Sequence, residues 1–97
     1  MGFIRVHLWL NFSLGVDMHE IGIAKGILKK ALEFAEANKG KKITTIYLKV
    51  GIGEMLTQEA LQQAFSMLAK DTILRRTKVE MEEFVGMGIT MMSIEVE

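Results

Sequence analysis

Apolar residues recur at three- and four-residue steps between positions 17 and 38. Ile21, Ala24, Ile27, Leu28, Ala31, Phe34 and Ala35 form one stripe, while Lys25, Lys29, Lys30, Glu33 and Glu36 fall mostly opposite. That period predicts an amphipathic helix from Asp17 to Asn38. Asn38-Lys39-Gly40 closes it, with Gly40 suited to a left-handed C-terminal position. Ahead of it, Ile4, Val6, Leu8, Leu10 and Phe12 alternate with Arg5, His7, Trp9 and Asn11. A two-residue period predicts a strand with one buried face.

The second half repeats these two periods. Ile43 to Val50 reads as a strand, with Ile46, Leu48 and Val50 on one face and Thr45, Tyr47 and Lys49 on the other. Gly51-Ile52-Gly53 ends it. Thr57 is placed to cap a second helix running to about Ala69, with Leu61, Ala64, Phe65 and Leu68 as its apolar stripe. After a connection over 72–77, Lys78 to Phe84 predicts a strand with Val79 and Met81 inward and Glu80 and Glu82 outward. Val85-Gly86-Met87-Gly88 turns the chain into a last strand, Ile89 to Glu97, where Met92, Ile94 and Val96 share a face. So short a loop leads us to expect the last two strands to pair antiparallel. The strand–helix–strand unit between residues 43 and 84 is expected to be a right-handed parallel crossover. The fold class that follows is α/β of the two-layer α+β kind: two helices packed on one face of a small mixed three- to four-stranded sheet.

Composition narrows the chemistry. A chain of 97 residues, 49% hydrophobic and 25% charged, supports one modest core. Lys plus Arg equals Asp plus Glu at 12 each, so no bulk field recruits nucleic acid or an anionic membrane surface. The cluster Lys39, Lys41 and Lys42 is more simply a helix-to-strand turn. The apolar run at the start is too short and too interrupted for a membrane span. His7 and Asn11 break it and no small-residue cleavage site follows, against a secretory leader. The absence of Cys excludes disulfides and thiolate zinc sites and fits a cytoplasmic protein. No Ser/His/Asp constellation, no H-E-x-x-H and no nucleotide-binding glycine pattern is present, so we expect a non-enzyme.

One constellation stands apart. Met18, His19 and Glu20 place an imidazole beside a carboxylate on the first turn of the first helix. Asp17 and Glu20 have capping-box spacing, which explains the carboxylates locally. Met87, Met91 and Met92 offer soft sulfur, though Met on a small sheet is more often gap-filling core.

Met18-His19-Glu20 followed by Ile-Gly-Ile-Ala-Lys-Gly-Ile-Leu resembles the start of the HypA family of nickel-incorporation factors for hydrogenase and urease maturation. The resemblance continues through Ile46-Tyr-Leu-Lys-Val-Gly-Ile-Gly-Glu54, Glu59-Ala-Leu-Gln-Gln-Ala-Phe65, Asp71-Thr-Ile73, Lys78-Val-Glu-Met-Glu-Glu83 and the closing Ile89 to Glu97. It implies a metallochaperone that holds Ni(II) at Met18, His19 and Glu20 and delivers it to a HypB-like GTPase and the large subunit of the hydrogenase. Leu74, Arg75 and Arg76 depart from the family's pattern. So does the stretch between Phe84 and Ile89, where relatives carry a four-Cys zinc lobe; no zinc is expected here. Residues 1–17 have no counterpart in the family and 18–97 form the HypA-like domain. The extension reads either as an added edge strand, available to a homodimer, or as sequence upstream of a start at Met18. Because Asp17 precedes it, the nitrogen of Met18 is a peptide nitrogen rather than a free amine. Nickel binding by the chain as written is accordingly expected to be weak or conditional. A metal-independent interaction module of the same fold is the competing reading.

Overall fold

A computed structural model describes residues 4–12, 20–39 and 42–97 of the chain. Its elements run β1 (Ile4–Phe12), α1 (Glu20–Ala37), β2 (Ile43–Gly51), a single 3₁₀ turn (Ile52–Glu54), α2 (Gln58–Ala69), β3 (Lys78–Phe84) and β4 (Ile89–Val96). The four strands form one mixed sheet in the order β1-β4-β2-β3. β4 pairs antiparallel with both β1 and β2, and β3 pairs parallel with β2. A parallel pair needs a long crossover, and α2 supplies it. The expected two-layer class with two helices and a mixed sheet is the observed one.

The core follows from the two periods. Ile23, Ala24, Ile27, Ala31 and Ala35 of α1 and Leu61, Ala64, Phe65 and Ala69 of α2 are buried against the inward row Ile46, Leu48, Val50, Val79, Met91 and Ile94. α2 begins where the sequence places it: the Thr57 hydroxyl accepts from the Ala60 N–H at 3.1 Å. α1 is rotated slightly from the expected stripe. Ile21 is 49% exposed and Ile23 is fully buried in its stead. At the other end of α1, Lys39 takes the left-handed conformation at φ 61°, while Gly40 lies outside the described residues.

The expected antiparallel pair of the last two strands does not form. β2 lies between β3 and β4, and the four residues from Val85 to Gly88 cross over its end. Two inter-strand spacings amount to about 10 Å, and five Cα steps reach roughly 17 Å, so the loop is long enough. Its passage is made by glycine. The Gly51 N–H donates to the Gly88 carbonyl at 2.8 Å and the Gly53 N–H to the Gly86 carbonyl at 2.9 Å. A Cβ on Gly51 would stand 2.4 Å from that Gly86 oxygen. Placing β4 centrally gives both its edges hydrogen-bonding partners, which a terminal hairpin strand lacks.

β4 also departs from simple alternation. Tyr47 faces Ser93 but Leu48 faces Met91, so Met92 is an extra residue, a bulge. Val96 and Ile94 point inward, then the bulge resets the phase and Met91 and Ile89 do so; Met92, expected inward, is only half-buried. β1 forms over the predicted residues and docks on β4. Of its expected buried face, Ile4 is 57% exposed and Val6 half-buried; the side chains of Leu8, Leu10 and Phe12 lie outside the described residues.

Candidate metal centre

The three candidate residues divide at the start of α1. Glu20 opens the helix, half-exposed, its carboxylate near the positive end of the helix dipole. Met18 and His19, with Asp17, expected to cap the helix, lie outside the described residues. The structure therefore bears on the end of the molecule at which Glu20 stands.

That end follows from chain direction. Five residues separate α1 from β2, so the C-terminus of α1 lies by the N-terminal end of β2. The helix, about 27 Å long at 1.5 Å per residue, then runs back along the sheet, its core-facing residues buried from Ile23 to Ala35. Glu20 consequently stands toward the end where β2 and β3 finish and β4 begins. β1 finishes there as well, since Phe12 is paired with Ile89.

Around that end the chain is tightly tied and apolar. The Glu54 carboxylate accepts from the Gly88 N–H at 2.7 Å, fixing the crossing loop to the turn after β2. In the sequence Glu54 is marked only by its place directly after Gly51-Ile52-Gly53, the local signal that fits this anchoring role. Ile52, Met55, Val85 and Met87 are exposed in the same region, at 53%, 86%, 91% and 67%. The N–H groups of Gly51 and Gly53 are spent on the same loop.

Among the described residues no group of three His, Cys, Asp or Glu side chains is close enough to hold an ion. His7 is an exposed residue of the β1 edge strand. Met91 is fully buried, Met92 half-buried and Met87 exposed, so the three do not share one environment. On the sheet face away from the helices, the Arg5 guanidinium lies 4.0 Å over the Tyr47 ring and 3.9 Å from the Glu95 carboxylate. This exposed cluster explains β1 docking rather than ligand binding. No described helix is long and apolar enough to cross a membrane.

The fold is thus that of a small two-layer α+β domain with its candidate site at the head of the first helix. The sequence model of a family described as hydrogenase/urease nickel incorporation, metallochaperone, hypA, matches residues 18–89. The chain belongs to the HypA family. It is 36% identical over 63 residues to the hydrogenase maturation factor HypA of Archaeoglobus fulgidus, covering 65% of this chain and 57% of that one. It is 30% identical over 66 residues to that of Methanobrevibacter smithii, covering 68% and 53%. The solution structure of the Ni metallochaperone HypA from Helicobacter pylori superposes with a TM-score of 0.59 at 16% identity, covering 69% of this chain and 58% of that one. At that identity the likeness speaks for the fold. The chain spans little more than half the length of these relatives.

Proposed function

We propose that this protein is a nickel-handling HypA-type domain that binds Ni(II) at Met18, His19 and Glu20 and passes it to a hydrogenase or urease maturation partner. The observation that carries the reading is that the family match begins at residue 18. The sole imidazole of the matched region, His19, directly precedes in sequence Glu20, which opens α1. Ni(II) in a square-planar site favours nitrogen ligands, and the imidazole of His19 with adjoining backbone nitrogens is the donor set at hand. Nickel here is cargo, held and then released.

The donors must be deprotonated, and that requirement governs affinity. A free amine at Met18 anchors the ion and eases ionisation of the following amides. A peptide nitrogen behind Asp17 does neither. The chain as written therefore binds Ni(II) weakly, and a chain beginning at Met18 binds at least tenfold tighter, about 1.4 kcal/mol. Residues 1–17 are on this reading an addition to a HypA-like unit at 18–97. The acceptors are a HypB-like GTPase and the hydrogenase large subunit, the protein acts as a carrier rather than an enzyme, and its compartment is the cytoplasm.

Calorimetric titration of the full chain with Ni(II), repeated on His19→Ala, tests the assignment. Loss of the binding heat in the variant supports it. Equal affinity in both proteins contradicts it, because His19 is then no ligand.

A further inference from the structure

The two edges of the sheet are β1 and β3. In a parallel pair each residue directs its N–H and C=O to the same side, and alternate residues face alternate neighbours. On β3, Val79 and Met81 turn their backbone groups away from β2, as does Thr77 just before the strand. These are the groups an edge strand offers to a passing chain.

Here the outward groups are taken by side chains of α2. The Gln58 amide donates to the Val79 carbonyl, and its oxygen accepts from the Met81 N–H at 2.8 Å. The Gln62 oxygen accepts from the Val79 N–H at 2.7 Å, and its amide donates to the Thr77 carbonyl at 3.3 Å. Spaced four apart on one helix face, the two carboxamides reproduce the donor–acceptor alternation of a neighbouring strand.

We propose that Gln58 and Gln62 act as a surrogate fifth strand that closes the β3 edge against pairing with a second copy of the chain. The copy is the fitting occupant because β3 is self-complementary in one antiparallel register. Centred on Glu80, that register sets Val79 opposite Met81, so each outward donor meets an outward acceptor. It also sets Lys78 opposite Glu82 at both ends, an attractive cross-strand pair. Only the central Glu80 pair is repulsive. With the carboxamides in place, the Thr77 carbonyl, both backbone groups of Val79 and the Met81 N–H are already taken, so the antiparallel register lacks the outward donors it needs.

The test uses the full chain. Amide hydrogen exchange is measured on Gln58→Ala and Gln62→Ala, and sedimentation velocity on the double variant at matched concentration. Ala is a good helix former, so α2 is retained. Met81 exchange rises roughly tenfold in Gln58→Ala alone and Val79 exchange roughly tenfold in Gln62→Ala alone. The double variant sediments with a higher weight-average mass than the parent. Unchanged exchange at both amides overturns the proposal. Faster exchange without a rise in mass also overturns it, since the carboxamides then cap the edge without guarding it. If the double variant does not fold, the two single variants, each with its own reporter amide and its own sedimentation run, decide the matter alone.

Discussion

Gly51 and Gly53 differ in what stands over them, and the difference sets the cost of a methyl group at each. At Gly51 the added carbon would meet backbone atoms, Gly86 O at 2.4 Å and Met87 Cα at 2.6 Å, which can move only if the crossing loop moves. At Gly53 its nearest neighbour is the Met87 sulfur, the far end of an exposed and flexible side chain. Gly51→Ala is expected to destabilise by about 2–3 kcal/mol and Gly53→Ala by about 1 kcal/mol or less, read from urea midpoints. Equal midpoints for the two would contradict this account of the crossing. Glu54 holds the loop through one charge-assisted bond to Gly88, so Glu54→Ala should cost about 1–2 kcal/mol and Glu54→Gln much less, since a carboxamide oxygen still accepts.

At the scale of elements, helices and strands were readable because burial and periodicity agree in them. The limits of α2 and β3 and the cap at Thr57 follow from local pattern. The partner of β4 did not, because a short glycine loop is as compatible with crossing over a strand as with a hairpin, and what decides is the missing Cβ of a residue 35 positions earlier, at Gly51 beneath Gly86. The bulge at Met92 was equally hidden, since Met91 and Met92 are the same residue type. Gln58 and Gln62 read as ordinary polar positions of a solvated helix face; only the sheet edge beneath them gives them a role. Leu74, a departure from the family's pattern, proves to be fully buried and so fills this domain's core. The phase of α1 is testable in the same terms. Ile27→Ala should cost about 2–5 kcal/mol by leaving a cavity, and Ile21→Ala about 0.5 kcal/mol or less from its exposed position. Thermal or urea unfolding that ranked them the other way would mean that α1 packs through its other face.

For the whole molecule, the candidate site was legible as a motif and not as a geometry. Met18-His19-Glu20 could be picked out because an imidazole and a carboxylate adjoin in a run that resembles the family's start, and the family match opens at the same residue. The donor atoms proposed for it are backbone nitrogens as much as side chains, and those leave no compositional trace. The fold contributes position: Glu20 opens α1 toward the end of the sheet where the crossing loop and the exposed Ile52, Met55, Val85 and Met87 are found. The most direct measurement is an electronic absorption titration with Ni(II) of two proteins in parallel, the chain as written and a chain beginning at Met18, both checked for native secondary structure. The account predicts the absorption bands of a square-planar nitrogen-ligated ion at near-stoichiometric metal in the shorter chain, and only at large excess in the longer one. The same bands at the same metal ratio in both, or none in either, would contradict it.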